Sequence, residues 1–355
     1  MRRGTTPIGI ALTLTVLCLS GCGGPAGRDS SSATTGDGKP YAKRTVTDCT
    51  GHTSTFRSAP ARVTTLTSSV LEMLLSLGLK ERIAGIQAVA PGAFRPGLQR
   101  TAEDLPKLSG EYKPKSYAPV QKEQLLNVQP DLAVGGWSSN FDAGLGALSQ
   151  SQLTERKINS YYAFSTSCDT ASKAPVTDFS SVYKDLDNYG RIFDVKPRSD
   201  ALVSRMQEKI AAVRDQVRSA KPVSVFGFEY EEGTQTPYAQ GNRTLAHAVI
   251  TQAGGKNIFS DLDGTYDKVS WEQIADRNPD AIAIVVYGKD TKAEYQKVVN
   301  EAERFLEDFE PLAGVTAVKE RRFIPVTYEE YAIGSVRNAD AVAGLARELH
   351  PGLVD

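Results

Sequence analysis

Histidine, tryptophan and cysteine are scarce in this chain: three His, two Trp and four Cys among 355 residues. His52, His247 and His350 are too few, and too scattered, to form the converging His and carboxylate set that captures a bare Zn or Mn ion. Catalytic signatures are missing as well. There is no H-E-x-x-H, no G-x-S-x-G elbow and no P-loop, and Gly144-Leu145-Gly146 lacks the third glycine and the strand-to-helix setting of a dinucleotide fingerprint. No catalytic residue, resident metal or cofactor is therefore expected, and a surface hydrolase is the one enzyme reading left as an alternative. Forty-one basic against 42 acidic side chains leave a net charge of −1, which gives no electrostatic footprint for nucleic acid.

What is present begins with Arg2 and Arg3, followed by an apolar run from Ile8 to Leu19 that ends in Ser20-Gly21-Cys22. The run is shorter than the roughly 20 residues of a spanning helix, so 1–21 reads as a signal peptide. Leu19-Ser20-Gly21-Cys22 resembles the lipobox of bacterial lipoproteins, which implies acylation of Cys22, cleavage before it, and a lipid anchor on the extracytoplasmic face of the cell membrane. Residues 22–44 are rich in Gly, Ser, Thr and Asp and cannot bury enough apolar surface to fold, so they read as a tether. With Cys18 in the signal and Cys22 acylated, Cys49 and Cys168 remain. In an oxidising compartment such a pair favours a disulfide, two separate buried thiols being the alternative.

Beyond the tether, short β-branched runs alternate with helical patterns, which implies βα units and parallel sheets. Strands are expected at 62–66, 82–86, 131–134 and 158–164, then at 223–228, 281–286 and 322–326. Helices are expected from Ser69, as the cap, to Leu77, at 120–128 and 142–156, then at 245–253 and 292–309. Between the two groups lies a helical stretch in which Leu202, Met206, Ile210, Val213 and Val217 recur at three- and four-residue spacing. This divides the chain into an N-terminal α/β lobe over 45–195, a linker helix over 196–220 and a C-terminal α/β lobe over 221–355. An internal repeat supports the division: Glu123-Gln124-Leu125 before Pro130-Asp131-Leu132-Ala133 has the same spacing as Glu272-Gln273-Ile274 before Pro279-Asp280-Ala281-Ile282.

Ala59-Pro60-Ala61-Arg62-Val63, Ser68-Ser69-Val70-Leu71-Glu72, Arg82-Ile83-Ala84-Gly85, the paired Glu…Pro-Asp motifs, Ala253-Gly254-Gly255-Lys256-Asn257 and Val269-Ser270-Trp271-Glu272 carry a resemblance. In their order and spacing, over about 61–350, the chain resembles the substrate-binding proteins of iron-siderophore, haem and cobalamin importers. The resemblance implies two Rossmann-like lobes with parallel sheets, joined by a single long linker helix, with the ligand in the cleft between them. It also implies that Glu123 and Glu272, one on each lobe, dock a monomeric receptor onto an ABC permease dimer and its ATPase. Loops at the carboxyl ends of the strands would line the cleft. They supply Ser68, Ser69, Trp137, Asn140, Tyr230, Tyr238, Arg243, Tyr287, Tyr328, Tyr331 and Arg337 as candidate ligand contacts, the aromatics suiting a ring-bearing ligand and the two arginines an anionic one. A ferric siderophore is the expected cargo. The segments 229–243 and 136–141 also resemble a subgroup proposed to bind a deazaflavin precursor related to coenzyme F420, and cobalamin and haem stay open.

Overall fold

An antiparallel hairpin, β1 (Arg44–Thr47) and β2 (Thr53–Phe56), opens the folded part of the computed structural model, which describes residues 40–90, 92–110, 118–168 and 174–354, the side chains of 167 and 168 excepted. The signal, Cys22 and most of the tether lie outside the described residues. No strand is expected at the hairpin from the sequence pattern; Asp48 at its turn fastens it to the lobe. One oxygen of Asp48 accepts from the backbone of Thr50 and His52, and the other from Gln150 Nε2 at 2.6 Å and the Tyr162 N–H at 3.0 Å.

Four parallel strands follow, β3 (Val63–Thr65), β4 (Ile83–Ile86), β5 (Leu132–Gly135) and β6 (Asn159–Tyr162), in the spatial order β4-β3-β5-β6. The second half repeats the plan with β7 (Val223–Phe228), β9 (Gly255–Asn257), β11 (Ala281–Val286) and β12 (Phe323–Thr327) in the order β9-β7-β11-β12, again all parallel. Between them in sequence, β8 (Tyr238–Gln240) and β10 (Tyr266–Lys268) form a separate antiparallel ribbon. Both sheets thus place their second strand at one edge, then the first, third and fourth. Strands β5 and β11 are buried along their whole length, as parallel strands covered on both faces must be.

The Glu…Pro-Asp repeat has a local physical cause. In both lobes it closes a short helix, Lys122–Asn127 or Trp271–Arg277, and each helix opens with a reciprocal capping box, Gln121 with Gln124 and Ser270 with Gln273. The aspartate then clamps the start of the neighbouring first strand. Asp131 accepts from the N–H groups of Ala61 and Arg62 at 2.7 and 3.0 Å; Asp280 accepts from the Ser224 N–H and hydroxyl at 2.9 and 2.7 Å. Partial burial works against the Asp280 charge, but the Ser224 bonds prevail and hold its carboxyl below the usual range.

The linker is the helix Lys196–Val217, 22 residues with Pro197 in its first turn, and it buries Leu202, Met206, Ile210, Val213 and Val217. At 1.5 Å per residue it is about 33 Å long. It packs against the helices Ser180–Ile192 and Asn338–Leu349, so a continuous apolar core runs from Val63 and Leu71 through the linker to Val225, Ala283 and Leu345. Each sheet has its own second core on the other face, around Phe141 and Leu153 in the first lobe and Phe228 and Trp271 in the second. Among the described residues no helix is long and apolar enough to cross a membrane.

Two expected elements differ. The helix expected over 142–156 is a 3-10 turn, Ala143–Leu145, preceded by another at Ser138–Phe141, and then a short helix Gln150–Glu155. Asp142 captures the Gly144 N–H at 2.8 Å and Gly146 takes φ +91°, so local turn chemistry interrupts the helix. Ser69 is not the cap of its helix: the helix spans Ser68–Ser76, Thr67 occupies the cap position, and Ser69 lies buried in the first turn.

Candidate ligand cleft

Segments that leave the carboxyl ends of the strands in one sheet meet those of the other. Glu72, from the helix after β3, reaches Arg337, from the segment after β12. Arg337 Nε lies 3.0 Å from the Glu72 carboxylate, Ser335 Oγ donates to the same carboxylate at 3.1 Å, and Arg337 NH2 donates to the Ala93 carbonyl at 2.7 Å. Side-chain exposures of 8% for Arg337 and 2% for Glu72 place this ion pair out of water. Close by, a Cβ on Gly334 would lie 2.3 Å from Ser165 Cβ, so only glycine allows this approach of the two lobes.

Ser165 is held in place from below. Asp185 is fully buried, accepts from Tyr161 Oη at 2.7 Å and from the N–H groups of Phe164 and Ser165 at 2.9 and 2.8 Å, and burial pushes its carboxyl up to about 6. Asn140 does similar work in the loop after β5. Its Oδ1 accepts from the Gly136 and Trp137 N–H groups at 3.0 and 2.9 Å, and its Nδ2 donates to the Leu66 carbonyl at 3.2 Å. Asn140 is therefore engaged in shaping the loop, which leaves the Trp137 ring 40% exposed.

The second lobe supplies an aromatic and acidic wall. Tyr287 and Tyr328 lie ring to ring at 4.4 Å, and Tyr287 Oη donates to Glu229 Oε2 at 3.4 Å. Gln240 Nε2 donates to the other Glu229 oxygen at 2.8 Å, and the Gly288 N–H to Glu329 at 3.0 Å. Burial raises the carboxyls of Glu229 and Glu330 above their ordinary range and pushes Glu329 up to about 7. Tyr266, on β10, is 38% exposed; burial and the nearby Glu229 raise its phenol.

Several sequence expectations are corrected. Arg337 and Arg243 are not free for an anionic ligand: Glu72 takes the first, and Asp263 holds the second through Nε at 2.9 Å and NH2 at 2.5 Å. Tyr331 is wholly buried rather than at the cleft surface, and Tyr230 packs edge-on against Phe228 and beside Phe305 in the second core. Tyr238 lies beneath Lys268, whose Nζ is 5.7 Å from the ring centre. Ser68 is half-buried. The residues that sequence reasoning missed are Glu72, Glu229, Glu329 and Tyr266. A lone acid inside the apolar helix Ser-Ser-Val-Leu-Glu-Met-Leu-Leu-Ser was the available signal for Glu72, because a buried charge needs a partner.

Glu123 and Glu272 are exposed at the second residue of their equivalent helices, and the Glu272 carboxyl is held below its usual range by its own N–H and by Ser270. Cys49 is disulfide-bonded, while the Cys168 side chain lies outside the described residues. His247 and His350 are buried, facing Asn257 Nδ2 at 3.4 Å and the Gly254 carbonyl at 3.1 Å. Among the described residues no group of three or more His, Cys, Asp or Glu could hold a metal ion.

The model of the family described as "Periplasmic binding protein" matches residues 63–327, the span from β3 to the end of β12. The chain belongs to that family. It is 23% identical over 346 residues to the uncharacterized ABC transporter substrate-binding lipoprotein YvrC of Bacillus subtilis, with 96% of each chain covered. A periplasmic binding protein from Veillonella parvula superposes with a TM-score of 0.73 at 25% identity, over 87% of this chain and 97% of that one. An ABC-type Fe3+-hydroxamate transport system protein from Saccharomonospora viridis does so with a TM-score of 0.69 at 21% identity, over 86% and 99%. The chain is thus a substrate-binding protein of an ABC transporter, with a small-molecule ligand and a permease as its partners, and its relatives are solute-binding proteins rather than enzymes.

Proposed function

We propose that the protein captures a ferric siderophore in the interlobe cleft and delivers it to the permease. The observation that carries this reading is the wall of Tyr266, Tyr287 and Tyr328 around Glu229, together with the exposed Trp137 in a strand-end loop of the first lobe. Flat apolar faces with polar tips suit a bulky, rigid chelate. The fold shared with the S. viridis protein supports the same cargo. Acylated Cys22 tethers the receptor outside the cell membrane, where its raised local concentration favours delivery, in keeping with the lipoprotein YvrC. Glu123 and Glu272 meet basic sites on the two permease halves, steering the encounter more than adding affinity. Cys49 pairs with Cys168.

Quenching of Trp137 fluorescence tests the cargo: saturable, one-to-one quenching by a ferric chelate is expected, and its absence across hydroxamate and catecholate chelates contradicts it. Replacing Glu123 and Glu272 together with Ala tests docking. Transport falls while affinity in solution holds; a loss of affinity instead contradicts the docking role.

A further inference from the structure

The basic groups described at the strand ends of the second lobe and across the cleft are already engaged. Arg337 is held by Glu72, Arg243 by Asp263, and Lys289 by Glu231 at 2.5 Å, while Lys268 lies over the Tyr238 ring. Glu229, Glu232, Glu329 and Glu330 have no basic group within ion-pairing distance among the described residues. Three of these four resist ionisation because they are buried, and Glu232 stands exposed beside them.

A second observation points the same way. Glu329 Oε2, Tyr331 Oη and Gln240 Oε1 are buried and have no hydrogen-bond partner. Two of them converge: a Cβ on Gly227 would lie 2.3 Å from Gln240 Oε1 and 3.0 Å from Tyr331 Oη, so the bare glycine leaves both atoms facing one spot on β7. Gln240 is the residue that also donates to Glu229. Unsatisfied polar atoms beside carboxyls that Arg337 and Lys289 influence only from beyond ion-pairing distance form a receptor for a donor, because leaving such atoms unpaired out of water is costly.

We infer that this wall selects ligands that are neutral or cationic at the end it receives, an ammonium or other hydrogen-bond donor meeting Glu229, Glu232 and Glu329, and that it rejects polyanionic chelates. This rests on the cleft reading above and narrows it. Three hydroxamates balance the charge of ferric iron, and a pendant amine makes the chelate a cation. Three catecholates leave it a trianion, which Glu232 and the ionised share of Glu229, Glu329 and Glu330 repel.

The test measures binding of the mature chain to ferrioxamine B, a cation, to neutral ferrichrome, and to the trianionic ferric complex of enterobactin, with neutral cyanocobalamin and anionic haem alongside. Tightest binding of ferrioxamine B, with none of the enterobactin complex, is expected. Glu232→Gln, at an exposed position where folding is not at issue, and Glu329→Gln should each weaken ferrioxamine B about tenfold and leave ferrichrome unchanged. Tighter binding of the enterobactin complex overturns the charge inference and leaves the siderophore reading standing. Cyanocobalamin bound in place of every ferric chelate overturns the siderophore reading and upholds the charge inference. Haem alone, or nothing, overturns both. An equal loss for both hydroxamates in the variants, or no loss, removes these carboxyls from the site.

Discussion

In the first lobe, Asp48 gathers five donors and Asp185 three; in the second, Glu229 gathers two and Glu329 one. The sheets have the same strand order and the same aspartate clamp, so the contrast does not come from the scaffold. It comes from what the strand ends are made to do. Asp48 and Asp185, saturated with donors, fix loops, whereas Glu229 and Glu329, with fewer, store a cost that a ligand can relieve. The Glu72–Arg337 pair joins the two designs, since each partner belongs to a different lobe.

The largest effect is expected at that joint. Arg337→Ala leaves buried Glu72 with only the half-exposed Arg95 at 3.7 Å and should cost about 3 kcal/mol in chemical denaturation, while the double change Glu72→Leu with Arg337→Met recovers most of it. A small loss in the single variant would mean that the lobes are held by apolar packing alone. Next come the two kinds of acid. Asp185→Asn should lose about 1–3 kcal/mol because an amide cannot accept from all three donors, whereas Glu329→Gln should raise Tm at pH 8 by removing a charge that burial disfavours more than Arg337 and Lys289 favour it. Equal losses in both would erase the contrast between the lobes. Asp131→Ala and Asp280→Ala, by symmetry of their clamps, should each cost about 1–2 kcal/mol, and unequal losses would break the equivalence of the repeat.

The smallest effect is on pH. Asp185 and Glu329 titrate in the fold at about 6 and about 7, above the roughly 4 of an unfolded carboxyl. Their contribution to stability is fully present below the unfolded value and is lost as pH rises through 6 and 7. Tm should therefore climb as pH falls from 7.5 to 5.5. The buried His247, whose imidazole titrates below its ordinary value, opposes this with a single group. Glu329→Gln should flatten the upper part of the slope and Asp185→Asn the lower part. A Tm that falls with pH over this window contradicts the assignment.

Strands β7 and β11 were legible to the residue, β11 because a fully buried parallel strand is a continuous apolar run and β7 because it is a short, mostly apolar run after Pro222. The linker's buried stripe was legible from its spacing, and the Glu…Pro-Asp repeat from its duplication. The hairpin β1–β2 was not, since its Thr-rich strands pair with each other and carry little apolar signal. Over 142–156 the composition suits a helix, and the Asp142 and Gly146 turn overrides it. The site was legible as a set of loops but not as a set of contacts. Arg337, Arg243 and Asn140 looked free because their partners, Glu72, Asp263 and the Leu66 carbonyl, lie 265, 20 and 74 residues away or in a different element. Tyr266 escaped notice because its ribbon lies outside both sheets.

Native mass spectrometry of the mature protein, purified gently from cells that make it, reads directly what the cleft carries. A one-to-one complex with a ferric chelate of neutral or positive charge is expected. A corrin, a haem or a deazaflavin phosphodiester in its place would contradict that expectation.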